Sequence, residues 1–259
     1  REEKPAIILT VKDVDGNVVR RLTGPVGAGF HRVAWDLRYP APHPTNLTPS
    51  TEYSPYSPGP TGPLATPGTY QVSLARRVDG QLTPLGEPMT FAAEVLGTSS
   101  LPPADREALL AFQQKAGRLQ RAVLGAVKAV DEAGTRLNHL KQALEDAPAA
   151  DPALATEARA LESRRKDLEV ALTGDAVVAG YQEPTPMSIV ARARSTVSWN
   201  STSAPTRTQE RAYEIASEQF EKALAELRSL VSDLDALETK AEAAGAPWTP
   251  GRVPTWSPE

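Results

Sequence analysis

Near Gly97 the spacing of apolar side chains along this chain changes from two residues to three or four. A period of two puts alternate side chains on one face of a strand, and a period near 3.6 gathers them on one stripe of a helix. The chain must therefore build two cores of different kinds. The spacing predicts an α+β chain of two domains. These are an antiparallel β-sandwich over residues 1–97, carrying a Pro-rich loop at 40–67, and an antiparallel three-helix bundle over 98–245. A Trp/Pro-rich tail over 246–259 is expected to dock on a neighbouring surface, because two tryptophans in so short a tract offer much apolar area to bury.

In the first half, the β-branched run Ala6 to Lys12 leads into Asp13-Val14-Asp15-Gly16-Asn17, and Val18 to Leu22 returns. Asp-Gly between apolar runs is a hairpin signal, since glycine accepts the positive φ that such turns need. A third strand is expected at His31 to Arg38, with Val33, Trp35 and Leu37 toward the core. Tyr70, Val72 and Leu74 alternate likewise, Asp79-Gly80 makes another turn, and Phe91 to Leu96 reads as the last strand. The stretch from Pro40 to Pro67 holds nine prolines, both ends included, with Tyr53 and Tyr56 within it and Tyr39 just before it. Proline lacks a backbone donor, so this segment cannot run inside a sheet. It is either an irregular loop lying across the strands or a polyproline-type contact surface.

In the second half, Pro102-Pro103-Ala104-Asp105 is a helix-entry sequence. A heptad seam then runs from Leu109 through Phe112, Ala116, Leu119, Val123 and onward to Leu144. Asp151-Pro152 opens a second helix, with Leu154, Ala158, Leu161, Leu168 and Leu172 on its seam and Arg165 intruding. Gly174 stops it. A third helix starts after Pro205, where Thr206 and Gln209 fit a capping box, and its seam runs from Tyr213 to Ala241. Residues 175–206 complete that side of the bundle, with a short helical piece at Met187 to Arg194.

Composition narrows the chemistry. Cysteine is absent, which excludes disulfides, thiolate metal sites and cysteine nucleophiles. The net charge of −4 is mixed along the chain, and a nucleic-acid surface needs a basic stripe. No stretch reaches the roughly 20 apolar residues of a membrane span. No leader opens the chain, so any export signal is expected upstream in a longer parent. Asp13, Asp15 and Asn17 hint at a calcium loop, but Gly16 stands too early for one and a hairpin turn fits better. His31, His43 and His139 are scattered. Asp36 beside Arg32 and Arg38 reads as a same-face charge pair. Arg164-Arg165-Lys166 reads as a solvated face or as ion-pair partners of the Glu-rich third helix. Asn46-Leu47-Thr48 and Asn200-Ser201-Thr202 match the glycosylation pattern, which is short enough to arise by chance. No catalytic, cofactor or metal set emerges.

The segments Asp13 to Arg20, Gly29 to Asp36 and Pro67-Gly68-Thr69-Tyr70 resemble the immunoglobulin-like module of the flagellar hook-capping type. With the helical half and the ending Gly245-Ala246-Pro247-Trp248-Thr249-Pro250-Gly251-Arg252, the chain resembles the C-terminal region of bacterial proteins with sortilin-like or sialidase-type (bacterial neuraminidase repeat) β-propellers. The resemblance implies an immunoglobulin-like antiparallel β-sandwich followed by the bundle, in an exported protein that is periplasmic, outer-membrane-associated or secreted. Its partners would be the parent's upstream propeller and another envelope or secreted protein, with no nucleic acid and no membrane span. Such parents are often labelled glycosyl hydrolases. The propeller turn Ser-x-Asp-x-Gly-x-Thr-Trp does not occur here, so no catalytic residue carries over.

The expected role is a non-catalytic accessory or interaction region, with Tyr39, Tyr53, Tyr56, Trp248 and Trp256 as its contact surface and no cofactor. Two alternatives stand beside it. One is carbohydrate binding, with Tyr53, Tyr56 or Trp35 as stacking platforms. The other is self-assembly through the helices.

Overall fold

The structure is a computed structural model that describes residues 3–45, 60–97, 105–147, 149–254, 256 and 258. Among the described residues it is α+β, with one five-stranded antiparallel sheet and five helices. The contacts divide it into two units, 1–118 with 197–206, and 119–196 with 207–259.

The first unit holds β1 (Ala6–Lys12), β2 (Val18–Gly24), β3 (Gly68–Val78), β4 (Gln81–Pro84) and β5 (Met89–Ala93). The order is β2-β1-β3, and both β4 and β5 pair with β3, at its two ends. The β1–β2 hairpin turns where the sequence puts it. Asp13 Oδ1 accepts from the Asp15 and Asn17 amides at 3.1 and 2.8 Å, and Gly16 sits at φ +82°. Asp13 is thus spent on its own turn, as hairpin chemistry requires.

The register sets Leu9 opposite Leu74, Val11 opposite Val72 and Tyr70 opposite Phe91, which gathers one apolar face. Val11, Val19 and Tyr70 are buried in its core, and Trp35, Tyr39, Ala65, Val72 and Phe91 pack against them. Trp35 meets Tyr70 and Phe91 edge-on at ring-centroid distances of 5.3 and 6.1 Å, the geometry that ring quadrupoles favour.

The expected strand at His31–Arg38 does not form. Residues 31–36 carry no ladder, and Arg38 makes only an isolated bridge with Leu64. The backbone turns instead: Asp36 Oδ1 accepts from the Arg38 amide at 3.1 Å, and Leu37 takes φ +55°, outside the extended region. Val33 and Trp35 still face the core, whereas Leu37 is exposed. A sandwich needs two sheets, and among the described residues there is one. The apolar face is covered by irregular chain around residues 33–39 and 64–66.

α1 (Arg106–Glu145) begins in this unit and continues in the other. Asp105 caps it, its Oδ1 accepting from the Ala108 amide at 2.9 Å. Trp199 lies against Gly117, where a Cβ would come within 3.4 Å of the ring.

The second unit holds the rest of α1 with α2 (Pro152–Thr173), α3 (Ala176–Gly180), α4 (Ile189–Ser195) and α5 (Arg207–Ala243). The seam residues Val123, Val130, Leu137, Leu161, Leu172, Leu230, Leu234 and Leu237 are almost wholly buried in one core, joined by Ile189 and Ala193 of α4. Asp151 caps α2 by accepting from the Ala153 amide, Pro152 takes the first turn, and Gly174 ends the helix at φ +94°.

Ion pairs fix the direction of the helices. Lys141 reaches Glu162, and Arg165 lies against Gly134, so α1 and α2 run oppositely. Arg164 reaches Glu226 and Asp233 at 2.8 and 2.7 Å, and Lys240 reaches Glu157, so α2 and α5 also run oppositely. The Arg164 guanidinium holds the Asp233 carboxyl below its ordinary range. Arg165 is paired with Glu162 and Glu169 and is largely buried. A Cβ at Gly134 would stand 3.1 Å from its Cδ. Among the described residues no helix is long and apolar enough to cross a membrane.

Candidate functional site

Of the residues expected to form a contact surface, three lie among the described residues, Tyr39 in the first unit and Trp248 and Trp256 in the second. Tyr39 is half-buried against the sheet core, and its amide donates to Pro63 O at 2.9 Å. Burial, and then the neighbouring Tyr70, push its phenol above the ordinary value. It is a packing residue. Tyr53 and Tyr56 lie outside the described residues. Trp248 and Trp256 stand on the tail and are 42% and 84% exposed. They are thus not buried as the tail's composition predicts. Trp35 is turned into the core, with its indole Nε1 donating to Arg38 O at 3.0 Å, so it is no platform for a sugar.

The tail is held by Ala246, buried in the helical core, and by charge. Glu238 on α5 is 1% exposed. Arg136 on α1 grips it with two hydrogen bonds, Nε to Oε1 at 3.0 Å and Nη2 to Oε2 at 2.7 Å, and also reaches Asp235. Arg252 of the tail approaches the same carboxylate through Nη1 at 3.3 Å and grips Glu242 through Nε and Nη2. Its Nη2 lies 3.4 Å from Thr239 Oγ1. Hydrogen bonding to Glu238 raises the Arg136 guanidinium above its already high ordinary value. A polar cleft of about 460 Å³ beside the cluster is lined by Glu132, Arg136, Asp235, Glu238 and residues 250–253.

This arrangement suits holding rather than proton transfer. Guanidinium groups stay protonated in proteins and donate in a fixed fork. A buried carboxylate without such partners would be costly, and here both come from other segments of the chain. What the cluster does physically is fix the start of the tail to α5.

A second polar centre lies in the first unit. Arg38 Nη1 donates to Gly62 O and Trp199 O at 2.8 and 2.9 Å, and Nη2 donates to Asn200 Oδ1 at 2.8 Å. The guanidinium thus ties together three irregular segments, and the expected pairing of Asp36 with the Arg38 side chain is not what forms. Gly62 is required here, because a Cβ would stand 2.3 Å from Tyr39 O. An apolar groove of about 200 Å³ in the same unit is lined by Leu37, Leu64, Val95, Leu109 and Leu110 with Gln113 at its edge.

His31 Nε2 hydrogen-bonds Gly27 O, far in sequence from His43 and His139. Among the described residues no cluster of metal-ligating side chains is present. Arg38 stood out in the sequence only as a partner of Asp36, and Trp199, Arg136, Glu238 and Arg252 carried no assigned role there. The one available signal was the position of Glu238 directly beside the seam residue Leu237, where a charge needs a partner. No family model matches the chain, and neither the curated proteins nor the solved structures hold a match.

Proposed function

We propose that this chain is a non-catalytic accessory and interaction region of an exported bacterial β-propeller protein, bracing the propeller or holding a protein partner. The reading rests on the sequence resemblance, and one structural observation supports it. Trp248 and Trp256 stand exposed on one short tail, and each offers a large apolar ring to a partner. On this reading the first unit is an immunoglobulin-like module whose second layer is irregular chain, and α1, α2 and α5 form an antiparallel three-helix bundle. The alternating helix directions and the shared aliphatic core support the second assignment.

The test is calorimetry of the parent reading frame with and without residues 1–259. Bracing predicts that the propeller transition falls by more than about 2 °C when these residues are removed. An unchanged propeller transition, with no cross-link from the propeller to this chain, overturns the bracing reading.

A further inference from the structure

We propose that the cleft between α2, α5 and the start of α4 binds an apolar chain that ends in a carboxylate, such as a free medium-chain fatty acid. All of its lining lies in the second unit. Its volume is about 620 Å³, within the roughly 300–1,000 Å³ of small-molecule sites. The floor belongs to the helical core and is formed by Leu168, Ile189 and Ala223. Above that floor Val170, Val178 and Met187 are exposed, so the apolar wall stands open to water. Covering such a wall gains about 25 cal/mol per Å². The rim is set before any ligand arrives. Gly174 turns out of α2 at φ +94°, and Pro184 and Pro186 each fix their own φ on the facing segment. Asp175 and Ser188 cap α3 and α4 at either end of that segment. A site shaped in advance loses little to ordering when it binds.

The polar groups of the lining select the head of the ligand. Asp175 is already engaged, its Oδ1 accepting from the Val177 and Val178 amides at 2.9 and 3.0 Å, and Ser188 Oγ accepts from the Ala191 amide. Lys222 on α5 is the lining's one cation, and among the described residues it makes no ion pair. Glu226, one helical turn on, is held by Arg164 at 2.8 Å. Arg164 and Lys240 are matched by carboxylates across α2 and α5, whereas the Lys222 charge stands beside apolar surface with nothing opposite it. The C-terminal end of α2 and Asp175 contribute negative charge, so only the Lys222 end of the lining accepts an anion, and this orients the chain. A carboxylate there forms a charge-assisted bond at the edge of a low-dielectric wall. An apolar ligand alone leaves the cation unused, and a small anion alone leaves the floor wet. An amphipathic acid meets both.

Isothermal titration of the full chain with dodecanoate below its micellar range tests this, beside dodecanol and the variants Lys222→Gln, Ala171→Trp and Arg228→Gln. One dodecanoate per chain is expected, with affinity reduced roughly fivefold or more by Lys222→Gln. Ala171→Trp fills the α2 wall from an exposed position and should abolish binding. Arg228→Gln removes the same charge from α5 outside the lining and should change nothing. Dodecanol should bind the unsubstituted chain about as weakly as dodecanoate binds Lys222→Gln. Unfolding at 222 nm checks that each variant keeps its helices, and the two exposed charge variants decide the matter alone if Ala171→Trp does not fold. The site is overturned by no binding to the unsubstituted chain, by several molecules per chain, or by binding that survives in a folded Ala171→Trp. Equal weakening in Lys222→Gln and Arg228→Gln, or dodecanol as tight as dodecanoate, also overturns it. None of these outcomes depends on whether the chain braces a propeller.

Discussion

The helical core and the sheet core of this chain solve the same problem with different means. The helices bury a long series of Leu, Val and Ala contributed by α1, α2, α4 and α5, each position following from the one three or four residues before it. The sheet buries Val11, Val19 and Tyr70 and then depends on Trp35, Tyr39 and Phe91, which reach it from irregular chain or an edge strand. A repeated aliphatic seam spreads stability over many equivalent contacts. A few aromatic rings concentrate it, and they need something polar to hold the chain that delivers them. Arg38 supplies that in the first unit, whereas in the second the Arg165 and Arg136–Glu238 clusters flank a core that the aliphatic seams already fill.

The largest effect that sharpens this contrast is expected at the middle of α5. Leu234 is fully buried, and Leu234→Ala should cost about 3–5 kcal/mol in chemical denaturation of the full chain. A loss below about 1 kcal/mol would mean the helical core repacks freely and is not a fitted seam. Next is Trp35→Ala, expected to cost about 2–3 kcal/mol, less than a fully buried tryptophan because Trp35 is only half covered. Its near-UV dichroism should fall with it. An unchanged near-UV signal would remove the aromatic cluster as the centre of the sheet core.

Arg38→Ala should cost about 1.5–3 kcal/mol, since it strands the carbonyls of Gly62 and Trp199. Hydrogen exchange should speed at residues 62–65 and 199–202 before it speeds in β1. Uniform exchange would make Arg38 a surface residue and blur the distinction drawn here. The smallest effect is Asp151→Ala, about 1 kcal/mol from loss of the α2 cap. Its measure is the same denaturation midpoint, and a shift as large as that of Leu234→Ala would show that α2 is held by its end rather than by its seam.

The helical half was far more legible in the sequence than the strand half. Helix periodicity is local, so Asp105, Asp151 and Gly174 mark boundaries that α1 and α2 obey, and seam residues from Ala116 to Leu144 are buried as their spacing requires. Alternation in residues 31–38 has two physical causes that look alike in sequence. A strand alternates because it is pleated, and an irregular segment alternates when only Val33 and Trp35 have room to turn inward. The dipeptide Asp36-Leu37 decided between them through a side-chain-to-backbone bond, and among the described residues the segment gains only the isolated Arg38–Leu64 bridge. The polar centres were hidden for a similar reason. Arg38 and Asn200 are 162 residues apart, and Arg136 and Glu238 are 102 apart, so only the folded chain brings them together.

The closeness of Gly134 to Arg165 ties two positions into one inheritance. An alanine methyl at 134 would stand 3.1 Å from the arginine's Cδ, so the stem would have to give by a few tenths of an ångström while its guanidinium stays on Glu162 and Glu169. Variation at 134 is therefore felt at 165: the larger the residue at 134, the further the arginine stem must move from its present place between the two helices.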